Sequence, residues 1–141
     1  MREILFKAKR KDDAKWVEGY FAIICEKTVI IEKESEKYYS IDDEKNSRGN
    51  RIIEIDPETL CQFTGLCDKN GNKIWENDIL MDNLDKSYPE EAIYITVEWS
   101  FAGFVTYKAG TDREYLDEFD LEHFEVVGNI FDNKELLQEE T

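Results

Sequence analysis

Residues 55–80 limit the possible folds of this chain more than any other stretch, because they spell a cap, a hairpin turn and a strand in one short run. Asp56-Pro57-Glu58-Thr59 offers an N-cap side chain, a proline with φ already helical, and an acid beside open N–H groups. A single helical turn or a type I turn follows from that order. Downstream, Asn70-Gly71 sits between Leu66-Cys67 and Ile74-Trp75, and both turn residues tolerate φ > 0. This is the strongest hairpin signal in the chain. A two-residue loop there sets Asp68 opposite Lys73 and Leu66 opposite Trp75, an ion pair beside an aromatic–aliphatic pair.

The other segments read mostly as short strands. Ile4-Leu5-Phe6 and residues 16–24 form an expected hairpin across the charged loop 9–13, and residues 28–31 continue it after a turn at Glu26-Lys27. Residues 32–50 turn to Glu, Lys, Asp and Ser around Tyr38-Tyr39-Ser40-Ile41, which fits an exposed hairpin or a long loop. Residues 52–55, 92–99, 104–107 and 124–127 are strands by their β-branched and aromatic content. Leu116, Phe119 and Leu121 are spaced for one or two helical turns, and residues 133–137 for a short terminal helix begun by Asp132 or Asn133. Strands with turn signals every ~8–12 residues and little helix predict an all-β fold of the small barrel or sandwich type. Its expected core aromatics are Trp16, Tyr20, Phe63, Trp75, Trp99, Phe101 and Phe104.

Charge narrows the function. The chain has 18 Lys and Arg against 33 Asp and Glu, a net charge of −15 over 141 residues, which repels phosphate backbones and anionic membranes. Direct nucleic-acid binding is therefore disfavoured. No stretch approaches the ~20 apolar residues of a membrane helix, and the start lacks a signal-peptide pattern. Cys25, Cys61 and Cys67 are odd in number and lack metal-type spacing. They read as reduced, buried residues of a cytoplasmic protein, with no metal or other cofactor expected.

Residues 55–80 and 124–137 together resemble the YopX family of phage and prophage proteins. The resemblance is carried by Ile55-Asp56-Pro57-Glu58-Thr59, Gln62-Phe63-Thr64-Gly65-Leu66, the turn Asp68-Lys69-Asn70-Gly71, and the closing Gly128-Asn129-Ile130 and Glu135-Leu136-Leu137. Trp16-Val17-Glu18-Gly19-Tyr20 also fits. Departures are local: Cys61 stands for the usual Gly, Cys67 for Lys, Asn77 for Gly and Lys134 for Pro. Asn77 can keep its turn, since Asn tolerates φ > 0. The resemblance implies a small N-terminal β lobe over residues 1–60, with the acidic hairpin or loop about 32–50. A Src-homology-type small β-barrel follows over residues 61–141, with short helical turns and a short C-terminal helix. It implies no particular reaction.

Residues that could carry chemistry have simpler readings. Asp68-x-Asn70-x-Asn72 begins like a calcium loop, but Lys73 stands where the bend needs Gly and Ile79 where a bidentate Glu is needed. His123, the single histidine, lies near Asp120, Glu122 and Glu125 and could act as a general base, yet alone it reads as a surface or half-buried residue. No catalytic residue is assigned. Tyr38 and Tyr39, with Asp117, Glu118 and Asp120, are the expected contacts for a protein partner or a second copy. Three functions follow in order: a non-enzymatic phage accessory module that binds a protein or itself, an acidic mimic of nucleic acid blocking a basic site, and a hydrolase using carboxylates or His123.

Overall fold

The computed structural model describes residues 4–32, 51–82, 92–100, 103–108, 113–116 and 120–137. The chain forms two compact units, Met1–Gln62 and Phe63–Thr141. In the first, strands β1 (Phe6–Lys9), β2 (Trp16–Ile24), β3 (Lys27–Glu32) and β4 (Ile52–Glu54) pair antiparallel in the order β4-β3-β2-β1. The start of β5 (Cys61–Cys67) adds to β1 through Phe6↔Gln62 and Lys7↔Cys61. Strand alternation gathers Ala8, Ile30, Ile53 and Ile55 into a core, with Phe6, Val17 and Leu60 against it. Gly19 lies where an added Cβ would collide with the Ile31 carbonyl oxygen, so β2 and β3 approach closely there.

The expected cap forms. Asp56 accepts the Glu58 N–H at 3.1 Å, and Pro57–Thr59 make one 3-10 turn. The buried Thr59 hydroxyl donates to the Asp56 carbonyl at 2.7 Å and accepts the Lys9 N–H at 2.8 Å, which ties the turn to β1. The β2–β3 turn falls one residue earlier than Glu26-Lys27: Ile24 pairs with Lys27, and Cys25 and Glu26 have φ of 51° and 67°. Positive φ at both central residues is the backbone of a type I′ turn.

In the second unit the rest of β5 pairs with β6 (Lys73–Trp75). A five-stranded antiparallel sheet is built from β7 (Asp78–Asp82), β8 (Ile93–Ser100), β9 (Gly103–Tyr107), β10 (Glu114–Tyr115) and β11 (Phe124–Asn129), in the order β10-β9-β8-β7-β11. Ile74, Leu80, Val97, Phe104 and Phe124 form its core. The all-β expectation holds, but the two sheets do not close into a barrel. Strand β10 has only two residues, and no pairing joins it to β11 among the described residues. Leu116 and Leu121 pack on the core, the first just past the end of β10 and the second in one 3-10 turn, Asp120–Glu122, while Phe119 lies outside the described residues. The C-terminal helix is likewise one 3-10 turn, Lys134–Leu137. Asn77 holds its turn with φ of 72°.

The Asn-Gly hairpin has a different register from the two-residue form. Cys67 pairs with Lys73 and Phe63 with Trp75, and two extra residues of β5 bulge between them. Gly65, with φ of 89°, allows the bulge, and the Thr64 hydroxyl donates to the Ile74 carbonyl at 2.7 Å. Asp68 and Asn72 close a three-residue loop: the Asp68 N–H reaches the Asn72 carbonyl at 2.8 Å, and the Gly71 N–H reaches the Asp68 carbonyl at 3.0 Å. Only Gly71 needs positive φ, 85°. The Asp68 carboxylate decides this register. It is 6% exposed and accepts the N–H groups of Asn70 (2.9 Å), Asn72 (2.8 Å) and Val126 (2.9 Å). Burial pushes its pKa up, but the hydrogen bonds from Val126, Asn72 and Asn70 outweigh that and hold it below the ordinary carboxylate range. The Asp68 oxygens of the calcium-like spelling are thus occupied by backbone donors.

Candidate protein-contact surface

Strand β1 covers the outer edge of β2 only from Trp16 to Gly19, whereas β3 pairs with β2 from Gly19 through Ile24. No strand among the described residues pairs with that outer edge at residues 20–24. Four side chains there are notably bare: Tyr20 is 47% exposed, Phe21 38%, Ile23 67% and Ile24 41%. Alternation sends Phe21 and Ile23 to the core-facing side, where Phe21 meets Phe6 at 5.5 Å between centroids, and Tyr20, Ala22 and Ile24 to the other. Ile52, 60% exposed, pairs with Ile31, which pairs with Tyr20, so apolar surface extends across the sheet. Residues 19–25 carry no charge and no proline. Edge strands usually carry one or the other, because an open apolar edge invites another strand.

Charge is divided unequally between the units. Residues 1–62 hold 12 Lys and Arg against 14 Asp and Glu, net −2, while residues 63–141 hold 6 against 19, net −13. Cations of the first unit are engaged locally. Arg10 binds Asp12 at 2.9 Å and holds that carboxyl below its usual range, chiefly through this hydrogen bond. Lys11 binds Glu54 at 3.2 Å, while Lys7 and Lys9 lie 4.7 and 5.5 Å from the Trp16 ring centroid.

Of the residues expected to make contacts, Tyr38, Tyr39, Asp117 and Glu118 lie outside the described residues, and Asp120 opens a 3-10 turn. Glu122 and His123 are exposed. Among the described residues no three His, Cys, Asp or Glu side chains gather as metal ligands. Only Cys61 is buried, its thiol donating to the Thr59 carbonyl at 3.2 Å; Cys25 and Cys67 are exposed because they sit at or beside hairpin turns. Among the expected core aromatics, Phe63, Trp75 and Phe104 are buried, Trp16 is half-buried and Phe101 lies outside the described residues. Tyr20 and Trp99 are exposed instead, the latter near a strand end where it meets Phe104 edge to face at 4.9 Å between centroids. The run Tyr20-Phe21-Ala22-Ile23-Ile24 lacks polar alternation, which ordinarily marks a strand buried on both faces. Among the described residues, the shortness of β1 leaves it bare.

These features define an all-β protein of two open antiparallel sheets. Residues 5–138 match the YopX protein family, and the chain belongs to that family. Among solved structures it is similar to the crystal structure of protein EF1440 from Enterococcus faecalis, at 23% identity and a TM-score of 0.62 over 98% of this chain and 100% of that one. At that identity the likeness concerns the fold. None of the curated proteins matches. No helix among the described residues is long and apolar enough to cross a membrane. The family's two dense segments meet within the second unit, where Asp68 of one binds Val126 of the other.

Proposed function

We propose that this phage-type protein is a non-enzymatic accessory module that works by protein contact, with the outer edge of β2 as its contact surface. The observation that carries this reading is the uncharged, apolar edge at residues 20–24, which no strand among the described residues pairs. A cytoplasmic place of action belongs to the same reading and is supported by three cysteines that form no disulfide. Tagged wild-type chain and its Ile23→Lys variant, expressed in the host during phage growth, test it. Loss of the bound protein, or of self-association, in the variant is the expected result. Equal binding by both chains overturns the assignment.

The −13 of residues 63–141 supports a second reading, an acidic surface that occupies a basic nucleic-acid-binding site. Its test is competition: the chain should displace DNA from a basic host or phage protein, with an advantage that disappears at high salt.

A further inference from the structure

We infer that the occupant of the β2 edge is the β2 edge of a second copy of this chain, paired antiparallel about a two-fold axis at Ala22. The inference rests on the protein-contact reading above and names the partner. Among the described residues the open edge has two ends: β1 occupies it through Gly19, and the turn at Cys25 and Glu26 ends it after Ile24. An antiparallel partner strand using its full length therefore centres on Ala22. A two-fold axis perpendicular to the sheet then sets Phe21 opposite Ile23 and Tyr20 opposite Ile24, each pair occurring twice. Every outer pair joins an aromatic to a β-branched side chain, one of the favoured cross-strand combinations. The opposed residues lie on the same sheet face, so Phe21 and Ile23 of both copies cover each other on one side and Tyr20 and Ile24 on the other.

Charge points to the same occupant. A basic partner would be drawn to the unit of net −13, whereas this edge lies in the unit of net −2 and has no charge from residue 19 to residue 25. A strand equally free of charge suits it, and this chain supplies one. Within residues 20–24 two copies extend one sheet across the axis without opposing like charges, and Glu18 and Glu26 face one another only beyond the ends of the paired stretch.

The register is tested by cross-linking in a background in which both exposed cysteines are removed, Cys25→Ser with Cys67→Ser. Directly opposed residues in an antiparallel pair have Cα atoms about 4.5–5.5 Å apart, within disulfide reach. Ala22→Cys should form a covalent dimer under mild oxidation, while Ile23→Cys, opposite Phe21, should form at least tenfold less. Sedimentation of the unmodified chain should show a concentration-dependent doubling of mass that Ile23→Lys abolishes. A single-chain mass at the highest soluble concentration, or equal cross-linking at both positions, overturns the second-copy assignment. If such a monomer still captures a host or phage protein that Ile23→Lys loses, the protein-contact reading stands and only this partner is wrong. If neither self-association nor capture responds to Ile23→Lys, both fall.

Discussion

The β2–β3 and β5–β6 hairpins finish their turns in opposite ways. At the β5–β6 loop a glycine takes the positive φ, a buried carboxylate satisfies two loop N–H groups, and the same carboxylate reaches across to Val126. At the β2–β3 turn Cys25 and Glu26, neither of them glycine, both take positive φ, and the strand leading into it exposes Tyr20, Phe21, Ile23 and Ile24. One hairpin is tied down by hydrogen bonds at every step. The other holds backbone strain and uncovered apolar surface together, a combination that ordinary stability would remove and that contact with another chain can exploit.

Removing the tie should have the largest effect. Asp68→Ala leaves the N–H groups of Asn70, Asn72 and Val126 without their acceptor, and bonds to a charged group contribute about 1.5–3 kcal/mol each before compensation. The expected loss is about 3–5 kcal/mol in urea unfolding. The same carboxylate gives a pH signature. Its folded-state pKa is depressed, so its contribution is complete above the unfolded value near ~3.9 and is lost as pH falls through the lower folded-state value. The stability gap between wild type and Asp68→Ala should therefore be constant near neutrality and shrink as the pH is taken below ~4. A gap that does not change with acid would show that the loop, not the charge, holds the hairpin.

Gly19→Ala perturbs the other hairpin at its root. The new Cβ meets the Ile31 carbonyl oxygen, a backbone atom that moves only if β2 and β3 separate. About 3 kcal/mol of destabilisation is expected, with hydrogen-exchange protection lost around Ile30 and Ile31 and retained at Leu80 and Val97 of the second unit. Loss of protection in both units alike would mean that the two hairpins are not separable in this way.

How legible each hairpin was in the sequence follows from where its information lies. The Asp56-Pro57 cap and the Asn77 turn are local, so residue chemistry alone announced them. The Asn70-Gly71 turn was also announced, but its register was not, because that depends on Asp68 finding the Val126 N–H 58 residues away. The two-residue turn at Cys25 and Glu26 has no glycine or asparagine to signal it, and pairing with β3 imposes it. The bare edge of β2 was hidden for a related reason. Tyr20-Phe21-Ala22-Ile23-Ile24 has the composition of a central strand, and only the length of β1 reveals that nothing among the described strands flanks it.

If strain at the β2–β3 turn is real, giving it the residues its backbone asks for should stabilise the chain. Cys25→Asn with Glu26→Gly places an Asn-Gly pair at two positive-φ positions, and a gain of about 1 kcal/mol is expected in thermal or urea unfolding. No gain would mean that the turn's cost is offset by contacts of Cys25 or Glu26, and the contrast with the β5–β6 loop would weaken.

The smallest effect on stability belongs to the residue with the largest expected effect on contact. Ile23 is 67% exposed, so replacing it with Lys removes little buried area, and the long apolar stem of Lys can lie on the same surface. Folding stability should stay within about 0.5 kcal/mol of wild type. A residue retained for packing would show the reverse order, a clear loss of stability with binding reduced only in proportion. Urea unfolding of Ile23→Lys alongside its binding therefore separates a strand edge shaped for contact from one that is merely uncovered. A drop of more than 1 kcal/mol would move Ile23 into the core and take the β2 edge with it.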